Sequence, residues 1–325
     1  MATSKTEAGK LFKAQCESNP WEIKPFGAGR FSETFYIQDE KEGEYIMRIA
    51  PSDTLLQLFY EYRMMRQEPE IHARLLNETR VPVPRIIAHD FSRKLIDRDY
   101  LIMNKLPGKP LSETSLSNKA FIRAFKEWGE YVRQLHSIIE PGNRFGYVGA
   151  HHPMEPQDSW KEAFRIMYRK MLDDIKKQGI YDDETYDMAY QLLEDNLEVF
   201  NHCQTSRLCH GDLWVTNLLV NENGKVTGLI DFDRACWGDI EWDLAIAEYC
   251  GVTKPPFWKG YGTKLETHSG NAALRRFFYL LYEHQKYIVI AMSSRRNDPD
   301  GARRYAAESL RAIQNFRRTG KPIFL

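Results

Sequence analysis

Cysteine is scarce in this sequence of 325 residues, and no Cys-x-x-Cys pair occurs. The five cysteines are widely spread, at Cys16, Cys203, Cys209, Cys236 and Cys250. An odd number without pairing argues against a disulfide framework. Cys203 and Cys209, with the neighbouring His210, lack the spacing and the fourth ligand of a zinc site. We therefore expect reduced thiols buried near the loop that follows Cys209.

Long hydrophobic runs are also missing. No segment approaches the ~20 apolar residues that a membrane span needs, and residues 1–20 lack the apolar centre of a secretory signal. We therefore expect a cytoplasmic protein without a membrane partner. The charges balance, because 45 basic residues face 45 acidic residues. Without an overall positive field, we expect no nucleic-acid partner.

No internal repeat, low-complexity tract or flexible linker divides the chain. Hydrophobic residues make up 42% and charged residues 28%, which is ordinary for a globular protein. The length allows two domains or one large bilobal unit. Because a linker is missing, we expect two lobes that pack together as one unit.

The densest group of motif residues lies within residues 208–243. A His-Gly-Asp sequence ending at Asp212 is followed by Asn217, and two apolar runs then flank an Asn-Gly turn at residues 221–224 before Asp231. Two short runs around such a turn predict a β-hairpin. A hairpin sets the residue before its first strand beside the residue after its second. Asn217 and Asp231 are therefore predicted to converge, with Asp212 nearby.

This set of residues suits phosphoryl transfer. That reaction needs a carboxylate to accept the proton of the attacking hydroxyl and oxygen ligands to hold Mg²⁺ on the nucleotide phosphates. The order Asp-x-x-x-x-Asn, hairpin, Asp-Phe is that of the protein-kinase catalytic and metal loops. We predict Asp212 as the catalytic base and Asn217 and Asp231 as metal ligands. Any one of them alone could merely cap a turn, so the prediction depends on the whole ordered set.

The sequences HGDLWVTN and LIDFDRACWGDIEWDLA resemble the catalytic and metal-binding motifs of the aminoglycoside phosphotransferase family, kinase-fold enzymes that phosphorylate hydroxyls of small molecules. Two departures from protein kinases favour this branch: Gly211 replaces an arginine, and Asp233 stands where Asp-Phe-Gly has its glycine. The opening His-Gly-Asp-Leu-Trp is also similar to that of fructosamine kinases, which act on glycated amines. The resemblance is specific only within residues 208–243.

The resemblance implies an α/β fold of the α+β type, protein-kinase-like and bilobal. Residues 1–103 would form a β-rich, nucleotide-binding N-lobe, and residues 104–325 a helical C-lobe carrying the hairpin and the acceptor pocket. It also implies ATP or GTP as the phosphoryl donor, together with Mg²⁺.

In that arrangement the first two strands flank a glycine turn, where Gly27 and Gly29 would let backbone N–H groups approach the phosphates. A plain hairpin turn would look the same. A third strand, at residues 44–49, brings Arg48 to the position of the kinase lysine that contacts phosphates. A guanidinium can bridge phosphate oxygens. The alternative is that Arg48 is an outward residue of an alternating strand.

Residues 52–76 have a helical pattern that Pro69 either interrupts or restarts. This segment supplies the acid expected to pair with Arg48. The distance from Glu68 to the following Val-Pro-Val-Pro sequence is similar to the spacing in the family that the chain resembles, and this resemblance favours Glu68. The candidates are Glu61, Glu68 and Glu70.

Two further strands, at residues 85–88 and 100–103, lead to a break at residues 104–108. The resemblance makes this break the hinge between the lobes. Backbone groups at Met103 and Leu106 are then predicted to bond the adenine edge. A connecting loop without a binding role would fit the same residues.

The rest of the chain is predicted to be mostly helical. An amphipathic stripe follows the cap Ser117, and His136 beside it is predicted to be structural. The aromatic segment 255–262 is predicted to be irregular. Helices are expected at residues 118–139, 160–178, 183–200, 242–250, 271–292 and 300–318.

The sequence thus predicts MgATP-dependent phosphorylation of a small-molecule hydroxyl, with Asp243 supporting the catalytic loop. A fructosamine-type or other metabolite kinase would share every catalytic residue. A nucleotide-binding regulatory module without turnover is a further alternative.

Acidic residues near the predicted site suggest the kind of acceptor. They would draw an amine, so we expect a polyhydroxylated acceptor with at least one amine, an aminoglycoside or related antibiotic ahead of a glycated amine. Helix capping is the competing explanation. The residues are Asp233, Asp239, Glu241 and Asp243 after the metal loop, and Asp173, Asp174, Asp182, Asp183 and Glu184 at helix ends.

Overall fold

A five-stranded antiparallel sheet forms the N-terminal part of the protein. Its strands are β1 Pro20–Pro25, β2 Glu33–Asp39, β3 Glu44–Ile49, β4 Ile86–Asp90 and β5 Tyr100–Asn104. They are ordered β1-β2-β3-β5-β4, and each neighbouring pair is antiparallel. The computed structural model describes residues 3–27, 31–149, 154–294 and 296–323.

One face of this sheet is covered by helix α1, Lys5–Gln15, which begins at the cap Ser4. The apolar side of α1 packs on a cluster that includes Met47 and Ile49 of β3. Because side chains alternate along a strand, Arg48 between them points to the opposite face. The pleat of β3 thereby directs Arg48 towards the following helix and the rest of the chain.

The segment between β3 and β4 corrects the helix predicted for residues 52–76. Three short 3-10 turns come first, and helix α2 covers only Glu68–Glu78. Pro69 stands in the first turn of α2, where its missing N–H is not needed, so it starts this helix. The 3-10 turns are Asp53–Leu55, Phe59–Glu61 and Met64–Gln67.

Tertiary packing explains why the helical pattern fails there. Leu58, Tyr60 and Met64 are buried in the same apolar cluster as the C-terminal helices. The backbone N–H of Phe59 donates to the Asp174 carboxylate at 2.7 Å. The segment therefore lies across the C-terminal part of the protein, which a regular helix continuing into α2 would not reach.

The C-terminal part is helical. The expected cap Ser117 accepts a backbone hydrogen bond from the helix that it begins, and Asp182, one of the acids at helix ends, does the same. Most of the predicted helices are confirmed. The helices of this part are α3 Asn118–Leu135, α4 Trp160–Lys177, α5 Asp183–Glu194, α6 Ile240–Tyr249, α7 Pro255–Tyr261, α8 Gly270–Met292 and α9 Pro299–Thr319.

Two predictions for this part were wrong. The helix expected at residues 183–200 ends at Glu194 and gives way to a 3-10 turn, Leu197–His202. The aromatic segment 255–262 is helical rather than irregular, because its two prolines occupy the first turn of α7 and Gly262 ends it with φ 94°.

Short strands complete the C-terminal part in two three-stranded sheets. One sheet has the order β10-β9-β6 and the other the order β7-β11-β8. The antiparallel pair β9 and β10 is the predicted hairpin, which is confirmed. The strands are β6 Lys109–Pro110, β7 Gly146–Tyr147, β8 Arg207–Cys209, β9 Leu218–Val220, β10 Val226–Leu229 and β11 Cys236–Gly238.

The structure confirms the expected α+β architecture, β-rich towards the N-terminus and helical towards the C-terminus. All five cysteines are free thiols, and Cys209 faces Cys236 across β8 and β11. In the part of the chain that the structure describes, no helix has the length and apolar character needed to cross a membrane.

Candidate active site

The hairpin brings Asp212, Asn217 and Asp231 together. Asn217 Nδ2 donates to Asp212 Oδ2 at 2.9 Å and to the Asp212 carbonyl oxygen at 3.0 Å. The Ile230 N–H donates to the Asn217 carbonyl at 3.0 Å, which fixes the two ends of the hairpin to each other. Asp231 follows at φ 71°, a left-handed conformation that is uncommon outside glycine. The Asp212 carboxylate stays 28% exposed and therefore accessible.

The buried carboxylate of Asp243 holds the loop at residues 210–212 in place. Asp243 accepts hydrogen bonds from the backbone N–H of His210 at 2.8 Å and of Gly211 at 2.9 Å. His136 Nε2 donates to it at 3.0 Å, while Nδ1 of His136 lies 2.9 Å from the Tyr261 hydroxyl. Burial by itself would raise the pKa of Asp243, but the hydrogen bonds from His136 and His210 lower it below its usual value. Asp243 thus holds the loop as an ionised acceptor.

Arg48 joins three carboxylates. Its Nη1 lies 2.7 and 2.9 Å from the two oxygens of Glu68. Its Nη2 lies 2.8 Å from Asp233 Oδ2 and 3.1 Å from Asp231 Oδ1. Asp233, which replaces the kinase glycine, is therefore an anchor for Arg48. The carboxylate of Glu68 is fully buried, and Arg48 is 13% exposed.

Glu68 is thus the acid that pairs with Arg48. Glu61 accepts the backbone N–H groups of Gln57 at 2.7 Å and of Leu58 at 3.1 Å. Glu70, the third candidate, is exposed on α2. Of the three candidates, Glu68 pairs with Arg48 because its position on α2 faces β3.

The carboxylates of Glu68, Asp231 and Asp233 surround the guanidinium of Arg48. When all three are ionised, they carry more negative charge than Arg48 neutralises. Burial raises the pKa of Asp233 to about 8, with Glu68 adding to the rise and Arg48 opposing it. Burial and the charge of Asp233 raise the pKa of Asp231 to about 7. Because the Asp231 side chain keeps 40% exposure, water weakens the effect there more than at Asp233. Hard oxygen donors carrying excess negative charge fit a divalent cation such as Mg²⁺.

The predicted nucleotide contacts are only partly placed. Gly27 has φ 70° at the turn after β1, whereas Gly29 lies outside the described residues. Met103 pairs in register with strands on both of its sides. Leu106 follows β5, and its Cδ1 would lie 2.8 Å from a Cβ added at Gly228. Leu106 therefore contacts the catalytic hairpin, and the adenine contact stays a prediction.

Three charged residues next to Asp212 were missed by sequence reasoning. Arg234 Nη1 lies 3.3 Å from Asp212 Oδ1, and Arg234 Nη2 lies 2.8 Å from Glu283 Oε2. Lys286 forms an ion pair with Glu283. A signal was present, because Glu283 and Lys286 are charged residues within the largely apolar helix α8.

Several of the acids that were expected to attract an amine have partners within the protein. Asp239 pairs with His202 at 3.0 Å, and Glu241 pairs with Arg275 at 2.8 Å. Asp182 caps α5. Asp233, Asp243 and Asp174 likewise have partners within the protein, as described above.

Comparison with known proteins gives a consistent assignment. The family model for the phosphotransferase enzyme family, APH, matches residues 22–289. A probable ketoamine kinase of Vibrio parahaemolyticus is 29% identical over 268 residues, which cover 78% of this chain and 81% of the relative. The viomycin phosphotransferase of Streptomyces vinaceus is 28% identical over 149 residues, covering 45% and 48% of the two chains.

Solved structures share the fold. Aminoglycoside 2'-phosphotransferase-IIIa in complex with GDP superposes with a TM-score of 0.64 at 14% identity, covering 97% of this chain and all of its own. A candidate fructosamine-3-kinase from Thermobifida fusca gives a TM-score of 0.61 at 18% identity, covering 92% and 98% of the two chains. The expected kinase-like fold is confirmed. The chain belongs to the phosphotransferase enzyme family and is a small-molecule kinase.

Proposed function

We propose that the protein transfers the terminal phosphoryl group of ATP, or of GTP, to a hydroxyl of a ketoamine, the product of an amine and a reducing sugar. The observation that carries the proposal is the convergence of Asp212, Asn217 and Asp231 at the two ends of one hairpin, beside Arg48. A carboxylate that accepts a proton, oxygen ligands for Mg²⁺ and a cation on the phosphates are groups that phosphoryl transfer uses.

Asp212 would act on the acceptor. Its carboxylate is accessible, and Asn217 fixes its orientation through Oδ2. As the acceptor oxygen forms its bond to the phosphorus and the nucleoside diphosphate leaves, Asp212 takes the hydroxyl proton. The fixed carboxylate thereby also sets the direction from which the hydroxyl approaches.

Asn217 and Asp231 would hold Mg²⁺ on the phosphates. Asn217 donates through Nδ2, which leaves its Oδ1 to bind the cation, and Asp231 adds a carboxylate on the facing side. Bound Mg²⁺ would neutralise phosphate and carboxylate oxygens together. Nη2 of Arg48, which now contacts Asp231 and Asp233, would turn to the phosphates, while Glu68 retains Nη1.

The amine-bearing acceptor is now supported by relatives rather than by surface charge. The ketoamine kinase of Vibrio parahaemolyticus matches most of this chain, so we place a glycated amine ahead of an antibiotic. This reverses the order expected from the sequence. An antibiotic kinase is the second candidate, favoured by the match to viomycin phosphotransferase over about half of the chain.

A screen of nucleotide consumption tests the proposal. Purified protein is incubated with Mg²⁺ and ATP or GTP and with glycated lysine, aminoglycosides, viomycin or neutral sugars. Diphosphate release is measured, and the product is identified by phosphorus NMR. We expect release that depends on the ketoamine and matches the phosphorylated product mole for mole. The Asp212→Asn variant is the control for contaminating kinases.

The outcomes are distinct. Turnover with an antibiotic but not with ketoamines selects the second candidate. Tight nucleotide binding without turnover on any of these acceptors contradicts the proposal and favours a regulatory module.

A further inference from the structure

A cluster of buried charges lies directly behind Asp212. It consists of Arg234, which follows the metal loop, and of Glu283 and Lys286 on α8. Their side chains are 9%, 2% and 6% exposed, respectively. None of them is used in the chemistry described above.

Arg234 connects this cluster to the catalytic carboxylate. Its Nη2 lies 2.8 Å from Glu283 Oε2, and its Nη1 lies 3.4 Å from Glu283 Oε1 and 3.3 Å from Asp212 Oδ1. The guanidinium also stacks on Tyr60, with 5.3 Å from Cζ to the ring centroid. Glu283 and Tyr60 therefore fix the guanidinium plane from two sides, and the fixed plane points one nitrogen at Asp212.

A purely structural role explains the cluster poorly. Burying three charges costs more than packing apolar residues of similar size, so such clusters are weak devices for stability. Arg234 and Lys286 also leave one positive charge in excess over Glu283. The charge that balances this excess is Asp212. Arg234 Nε is buried and has no hydrogen-bond partner among the described residues, so the guanidinium is placed for its contact with Asp212 rather than for complete pairing.

We propose that Arg234 is a positioning residue for Asp212, and that Glu283, neutralised in turn by Lys286, holds Arg234 in place. The inference rests on the proposed function, in which Asp212 takes the acceptor proton.

The two oxygens of Asp212 are then fixed separately. Asn217 donates to Oδ2 at 2.9 Å, and Arg234 donates to Oδ1 at 3.3 Å. The second contact is long for a charged pair, which leaves Oδ1 free to accept a hydroxyl proton and lets the contact shorten once the acceptor is bound. Burial by itself would lower the pKa of Arg234, but the negative charges of Glu283 and Asp212 outweigh it and raise that pKa well above the usual value, so Arg234 stays protonated. It therefore orients Asp212 without taking the proton itself.

The test compares Arg234→Gln with Arg275→Gln. Arg275 is a matched control, because it is 9% exposed and pairs with Glu241 at 2.8 and 2.9 Å, away from Asp212. We expect Arg234→Gln to lower kcat about 10–100-fold, as misplacement of a reacting group does, with the KM for nucleotide unchanged. Arg234→Lys should recover part of the loss, and Arg275→Gln should keep kcat within about 2-fold.

Nucleotide affinity, measured by calorimetry on each variant, shows that the nucleotide site is folded. Glu283→Gln provides a second variant that leaves the guanidinium in place and loses only its anchor. We expect a smaller fall in kcat, again without a change in the KM for nucleotide.

A double mutant separates positioning from general support of the fold. If Arg234 acts through Asp212, adding Arg234→Gln to Asp212→Asn should not lower the residual transfer rate further. Losses that multiply, or a kcat for Arg234→Gln equal to that of Arg275→Gln, would overturn the inference. If Asp212→Asn itself turns over normally, the proposed role of Asp212 fails instead.

Discussion

Arg48 and Glu68 form a buried ion pair that ties β3 to the first turn of α2. Nη1 of Arg48 lies 2.7 and 2.9 Å from the two oxygens of Glu68, whose carboxylate has no exposed surface. The remaining nitrogen, Nη2, reaches the metal loop through Asp231 and Asp233. One guanidinium therefore connects the sheet, α2 and the catalytic hairpin.

Removing that guanidinium should damage both stability and nucleotide binding. Arg48→Ala leaves Glu68 and Asp233 buried without a cation, which typically costs about 3–5 kcal/mol. We expect a loss of that size in urea unfolding and a higher apparent KM for ATP. Arg48→Lys should recover part of the stability and part of the ATP affinity, because lysine restores the positive charge but not the paired nitrogens of the guanidinium. Equal values for the wild type and the two variants would contradict the role of Arg48.

Replacing the carboxylate that we propose as the catalytic base should affect transfer alone. Asp212→Asn keeps the shape and the contact with Asn217 but cannot accept a proton. We expect kcat to fall about 10²–10⁴-fold, while calorimetry shows nearly unchanged nucleotide affinity. Turnover close to the wild type would refute the assignment of Asp212.

The proposed metal ligand Asp231 should behave in the opposite way. Asp231→Ala is expected to weaken ATP binding in the presence of Mg²⁺, because a carboxylate ligand is lost. When Mg²⁺ is removed by EDTA, ATP should bind the wild type and the variant with similar affinity. This control separates loss of the metal ligand from damage to the nucleotide pocket. An unchanged Mg²⁺-dependent affinity would show that Asp231 is not a ligand.

His72 should make stability depend on pH. It is 1% exposed, its Nδ1 lies 2.8 Å from the Pro84 carbonyl, and burial lowers its pKa from 6.5 to about 4. Between these pH values the unfolded chain binds a proton that the folded protein does not. The full contribution to stability is therefore present above pH 6.5 and is lost as the pH falls towards 4.

The His72→Gln variant measures this contribution. From pH 7 to pH 4, the free energy of unfolding of the wild type should fall by about 3 kcal/mol more than that of the variant. Urea unfolding at several pH values provides the measurement. Parallel curves would mean that His72 does not stay neutral in the folded protein.

Two glycines with the same backbone conformation test the hairpin turn. Gly224 has φ 69° and Gly179 has φ 70°. A Cβ at Gly224 would lie 2.0 Å from the Ala120 carbonyl oxygen, whereas nothing lies within 4 Å of one at Gly179. Gly179→Ala should cost about 1–2 kcal/mol from backbone strain alone. Gly224→Ala should cost clearly more, because α3 must move; equal losses in thermal unfolding would contradict this.

The sequence by itself determined the catalytic hairpin and the order of Asp212, Asn217 and Asp231 around it. It also determined most helices of the C-terminal part and the cap Ser117. These features depend on interactions over a few residues: turn chemistry, caps, and the period of apolar side chains. Each of these signals is contained in the same segment whose structure it determines.

Tertiary structure alone decided which charges meet. Three acids could have paired with Arg48, and the packing of α2 against β3 selected Glu68. The 3-10 turns of residues 53–67 replace a helix because their apolar residues fill the core of the C-terminal part. Glu283 anchors Arg234 from 49 residues away. The energy of a buried charge depends on whichever remote group desolvates or neutralises it, and no local pattern specifies that group.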